Sequence, residues 1–125
     1  MIFTYSYNEE YIPAFPVAEV EISGKEGKVV AVTGLVDSGS DATMIPLKYL
    51  QEVRARKGSR KRVHVLGNHS YVTDSYHVTL QLAGITVRLV VLGDRLHDQV
   101  IIGRDVLNYL VVTLNGVAHT VEITA

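Results

Sequence analysis

Asp37-Ser38-Gly39 is the stretch of this 125-residue chain best suited to chemistry. Apolar Leu35 and Val36 deliver an acidic residue to a turn, a hydroxyl and a glycine follow at once, and Ala42-Thr43-Met44-Ile45 lead away. The glycine permits a tight turn and close backbone approach, and the hydroxyl can hydrogen-bond backbone nearby. A carboxylate presented in this way can activate a water. Two of them sharing one proton can hydrolyse a peptide bond, one ionised as base and the other protonated to polarise the carbonyl. The pattern occurs once: Asp74-Ser75 is followed by Tyr76, and Asp94, Asp98 and Asp105 lack the hydroxyl-glycine sequel. A dyad therefore needs a second chain, and a two-fold axis through the site would supply every part twice.

The elements that must hold this turn read as short strands. Val17 to Ile22 alternates apolar and polar, as a half-buried strand does; residues 23–28 are turn chemistry, and Val29 to Val36 is a more apolar return strand. Pro46 to Val53 predicts a short helix, with proline in the first turn where it is tolerated. Extended segments are expected from Arg62 to Leu66 and from Tyr71 to Leu82, then from Ile85 to Leu92 after an Ala83-Gly84 turn. Arg104 to Leu110 reads as a brief helix. Val111 to Leu114 and Val117 to Ile123 flank Asn115-Gly116, a strong hairpin signal. No element is assigned to residues 1–12. One all-β domain spanning residues 1–125, a small closed barrel with one or two short helices, is the expectation.

Composition narrows the function classes. With 47% hydrophobic and 20% charged residues, a folded core is expected and disorder is not. A net charge of −1 gives no global reason to expect nucleic acid or membrane as partner. No cysteine is present, and the five histidines show no HExxH spacing, so no metal site is assigned and no cofactor is expected. Residues 1–10 lack a signal-peptide pattern and no apolar run could span a bilayer, so a soluble, cytoplasmic protein is the default reading.

Two motifs together resemble the retropepsin-like aspartic proteases, the single-lobed homodimeric relatives of pepsin. The first is Leu35-Val36-Asp37-Ser38-Gly39-Ser40-Asp41-Ala42-Thr43; the second is Val100-Ile101-Ile102-Gly103-Arg104-Asp105-Val106-Leu107. The resemblance implies a closed acid-protease barrel, an extended peptide substrate and a homodimer with a shared site. It implies Asp37 as the catalytic carboxylate, with Ser38, Gly39 and Thr43 as support. Gly39, Asp41, Gly67 and Asn68 would contact substrate. Asp41 would pair with Arg104, tying the active-site loop to the helix. Leu66 to Ser70 would form the tip of a closing flap, and Gly93 to Gln99 would line side-chain pockets.

Other readings stand beside this one. A lone Asp-Ser-Gly is more often a surface turn; the apolar strand before it, Thr43 after it and the second motif tip the balance toward a site. The alternative function is a non-catalytic peptide-binding or dimerisation module with the same fold. Arg54, Arg56, Lys57, Arg60, Lys61 and Arg62 form a basic cluster that could contact nucleic acid. Without interleaved aromatics it reads instead as a solvated loop.

Overall fold

The computed structural model describes residues 1–65 and 67–125; Leu66, the first residue of the expected flap tip, lies outside the described residues. Ten strands and two short helices follow in order: β1 (Phe3–Ser6), β2 (Val17–Ser23), β3 (Val29–Val36), β4 (Met44–Pro46), α1 (Leu47–Glu52), β5 (Arg56–Val65), β6 (His69–Leu82), β7 (Ile85–Asp94), β8 (Val100–Ile102), α2 (Arg104–Leu107), β9 (Val111–Asn115) and β10 (Thr120–Thr124).

The alternation in β2 buries Ala18, Val20 and Ile22 and leaves Glu19 and Glu21 in solvent, while Val17 at the strand's start is buried out of phase. Its hairpin partner β3 runs antiparallel from Val17↔Leu35 to Ser23↔Val29. Beyond β3 the order continues through β8, β4, β7 and β6, and β6 pairs back onto β2 at Glu21↔Gln81 and Ser23↔Thr79. These six strands form a closed β-barrel. β5 stands outside the ring as the free partner of β6. Val20, Ile22, Ile45, Leu50, Leu80, Val91, Val100, Ile102 and Val106 fill the interior, each contributing roughly 1.5–3 kcal/mol by leaving water. Gly34 is required where β3 passes β8, because a Cβ there would meet the Ile102 side chain at 2.8 Å.

Several short elements lie where sequence periodicity assigned none. β1 pairs antiparallel with β10, from Phe3↔Ile123 to Ser6↔Thr120, and β10 pairs with β9 in a separate three-stranded sheet. Tyr5 on β1, and Tyr7 just beyond it, pack against the core. β4 and β8 have three residues each, too few to show a period of two. Both helices are shorter than expected, with α2 a single turn.

Two expectations are corrected. The basic cluster is not a loop: Arg56, Lys57, Arg60, Lys61 and Arg62 lie on β5. Both faces of that edge strand are largely exposed, so it carries no apolar alternation, and charge along an edge discourages unwanted pairing. Lys57 Nζ, Arg60 Nε and Arg95 Nη2 lie 3.3, 3.6 and 3.7 Å from the mostly buried Asp74 carboxylate. The last hairpin does not turn at Asn115-Gly116. Asn115 pairs with Thr120, leaving residues 116–119 as the connection. The Asn115 side chain instead accepts a bond from Ala118 N at 2.9 Å, the local side-chain capping open to asparagine. The left-handed residue is His119 (φ 55), whose ring stacks on Tyr7 at 5.3 Å. A tertiary contact thus overrides the local turn signal.

Candidate active site

β3 ends at Val36, and its parallel pairing with β8 carries one bond further: Asp37 N donates to Ile102 O at 3.0 Å. The carboxylate therefore leaves the rim of the barrel from a fixed backbone. The chain then turns, with Ser40 N donating to Asp37 O at 3.1 Å and Gly39 N to Asp37 Oδ1 at 3.0 Å. Asp37 is half-buried, while Ser38, Gly39 and Asp41 are exposed.

The loop is held from below by the segment that joins β8 to α2. Thr43 is fully buried. Its hydroxyl donates to Asp105 Oδ1 at 2.7 Å, its N–H donates to Asp105 Oδ2 at 3.0 Å, and its oxygen accepts from Gly103 N at 3.1 Å. Arg104 N donates to Ser40 O at 2.9 Å. The Arg104 guanidinium forks, Nη1 donating to Ser38 O at 2.8 Å and Nη2 to Asp41 Oδ1. Gly103 is needed for this approach, since a Cβ on it would stand 2.6 Å from the Ala42 carbonyl carbon and oxygen. Bonds to a charged partner contribute about 1.5–3 kcal/mol each when sheltered. Those to buried Thr43 therefore outweigh the Arg104–Asp41 pair, whose side chains are largely in solvent.

Asp37, Ser38, Gly39, Asp41, Thr43 and Arg104 are thus brought into one loop-and-clamp unit. Gly67 and Asn68 are not joined to it: they form the turn between β5 and β6, with φ of 90° and 62°, and no hydrogen bond links them to residues 37–43 among the described residues. Asp105 was not singled out from sequence, although its carboxylate does more bonding within the clamp than that of Asp41. Its position inside the second motif was the available signal. The loop from Gly93 to Gln99 is organised by buried Asp94, whose Oδ1 accepts from Leu96 N at 2.8 Å and whose Oδ2 lies 3.0 Å from His97 Nδ1. Burial, and then the Asp94 charge, hold the Tyr71 hydroxyl above its ordinary pKa of 10.0. Among the described residues no three His, Asp or Glu side chains gather closely enough to hold a metal ion.

A six-stranded barrel that presents one Asp-Ser-Gly turn at its rim, clamped by a Gly-Arg-Asp segment, defines a single lobe of the acid-protease type. The sequence matches the family model for retroviral aspartyl protease over residues 13–115, and the chain belongs to that family. Solved structures agree on the fold. EIAV protease complexed with the inhibitor HBY-793 is 22% identical with a TM-score of 0.61, covering 84% of this chain and 93% of its own. Simian foamy virus (mac) protease is 20% identical with a TM-score of 0.54, covering 74% and 92%. A retropepsin-like aspartic protease from Rickettsia conorii is 9% identical with a TM-score of 0.56, covering 98% and 89%. A search of curated proteins finds no match.

Proposed function

We propose that this chain is an aspartic endopeptidase that works as a homodimer, with Asp37 of each copy forming the dyad. The observation that carries this reading is the single Asp37-Ser38-Gly39 turn, held rigidly in cis by Thr43, Arg104 and Asp105 while its outer side stays open. In the dimer the two carboxylates share one proton, because like charges in contact do not both ionise. The ionised member takes a proton from a bound water, which attacks the scissile carbonyl as the protonated member hydrogen-bonds the carbonyl oxygen. Returning a proton to the amide nitrogen then collapses the tetrahedral intermediate. Ser38 would bond across the pair. Gly39 and Asp41 would hold the substrate backbone from below, and Gly67 and Asn68 would close over it, so that an extended peptide lies between floor and flap as an added strand does.

The second copy would join at β9. That strand pairs only with β10 among the described residues, and it begins just beyond the α2 segment that clamps the Asp37 loop. Tyr109, Val111 and Leu114 on or beside it are 66%, 65% and 52% exposed. An edge strand pairing antiparallel with its own copy generates a two-fold axis. Tyr7 N donates to His119 O, so hydrogen-bond parity along β10 turns the Val112 and Leu114 N–H groups outward. Leu114→Pro should therefore give a folded monomer without activity, read by analytical ultracentrifugation alongside peptide cleavage.

The direct test is a peptide-library digest comparing the wild type with Asp37→Asn. Cleavage should vanish in the mutant while dimerisation persists. Cleavage surviving in pure mutant protein would sink the mechanism. A wild type that dimerises and binds peptides without cutting them would assign the chain to the binding-module alternative.

A further inference from the structure

On the outer wall of the barrel, away from the Asp37 loop, β2, β5, β6 and β7 bring a second set of polar side chains together. The register places Arg56 opposite His77, Ser23 opposite Thr79, and Thr79 opposite Arg88. Side chains paired across strands share a face, and residues 77 and 79 share theirs by the two-residue period. Lys25, in the β2–β3 turn, adds a third cation at the rim. Together they line an open groove of about 560 Å³.

The charge of this groove is unbalanced. No Asp or Glu lines it among the described residues. Among the described residues Lys25, Arg56 and Arg88 make no ion pair, whereas Arg54, Lys57, Arg60, Arg95 and Arg104, outside the groove, each do. Glu26, the next residue after Lys25, is engaged by Arg54 at 3.2 Å. With a net charge of −1, the chain has no general excess of cations to explain the cluster.

We propose that this groove binds a polyphosphate group, such as the di- or triphosphate of a nucleotide. Three cations converging on one pocket match several anionic oxygens packed close together, and guanidinium forks suit phosphate oxygens. A single carboxylate would leave two of the cations unneutralised. An extended nucleic-acid strand calls for a continuing basic track with aromatic stacking platforms. The lining contains no Phe, Tyr or Trp, and the next cations along β5, Lys57 and Arg60, are turned to Asp74. The Ser23 and Thr79 hydroxyls and the His77 ring add hydrogen-bonding groups around the anion.

Binding here is independent of the Asp37 chemistry and is read without a protease assay. Isothermal titration of the full chain with tripolyphosphate and with ATP should show one saturable site per protomer. Arg56→Gln and Arg88→Gln should each weaken it about 10-fold. The control Lys61→Gln/Arg62→Gln, which removes twice the charge of either test variant, should change it less than about 2-fold, because diffuse surface charge acts weakly under salt screening. A second measurement needs no variant: tripolyphosphate should protect Lys25, relative to Lys28 and Lys48, from amine acylation read by mass spectrometry. No saturable binding, equal weakening by the control pair, or unprotected Lys25 would each overturn the assignment. So would an oligothymidylate that binds more tightly than ATP, which would point to an extended nucleic-acid surface.

Discussion

Replacing Asp105 by alanine should cost the fold several kcal/mol. Its carboxylate accepts from both the hydroxyl and the N–H of Thr43, at 2.7 and 3.0 Å, and Thr43 is 0% exposed. In the alanine variant two buried donors lose their acceptor, at about 1–3 kcal/mol each. A total of about 2–6 kcal/mol is a large part of the roughly 5–15 kcal/mol that holds a domain together. For a chain of this size that corresponds to a fall in melting temperature on the order of 10–20 °C. Asp105→Asn is the control. Its oxygen can still accept from Thr43 N–H and its amide can donate to the Thr43 oxygen, but the Thr43 hydroxyl proton loses its acceptor, so the loss should be about 1–3 kcal/mol, roughly half that of alanine. The chain has no tryptophan, so urea unfolding followed by far-UV circular dichroism at fixed protomer concentration is the suitable assay. An alanine variant within 1 kcal/mol of wild type, or an asparagine variant as damaged as the alanine one, would refute the clamp.

Three further outcomes are expected. Gly103→Ala should destabilise by several kcal/mol, because the added methyl would meet Ala42 backbone at 2.6 Å and backbone cannot rotate away; an unchanged denaturation midpoint would contradict this. Arg104→Lys should leave stability within about 1 kcal/mol, the pair being largely solvated. It should nevertheless lower kcat of any peptide cleavage, since one ammonium cannot hold Ser38 O and Asp41 together. Tyr5 and Tyr71 both have their pKa raised from 10.0, mainly by burial. The folded state thus keeps these protons longer than the unfolded chain, and stability should fall as pH rises above about 10. Tyr5→Phe/Tyr71→Phe should flatten that alkaline slope in denaturation midpoints measured from pH 8 to 11.

Legibility from sequence followed the range of the interactions. The turn at Asp37 could be read because its own signal, from the apolar strand to Gly39, is local, although the bonds that hold it come from residues 102–105. β2 and β3 could be read because each alternates over several residues. Only the end of β5, from Arg62, was expected as extended; residues 56–61 are largely exposed and have no apolar period to detect. β4 and β8 are too short to show one. Asn115-Gly116 misled because His119 stacking on Tyr7 reaches back more than a hundred residues to decide where the chain turns. The same limit hid Asp105. Its bonds to Thr43 span 62 positions, and no spacing rule says which of two acidic residues, Asp41 or Asp105, faces solvent and which turns inward.

The direction from which the site is held also bears on how a dimer would assemble. Among the described residues, Ile102 in the barrel and Gly103, Arg104 and Asp105 in the clamp of the same chain already fix the Asp37 turn. β1 likewise finds its partner in β10 of the same chain. A protomer can therefore preorganise its half of the proposed dyad before meeting a second copy. Association would then cost the lost freedom of two rigid bodies and little internal ordering. On this reasoning dimerisation and folding separate: Leu114→Pro should abolish pairing without loosening the clamp, and Asp105→Ala should loosen the clamp while leaving the β9 edge intact.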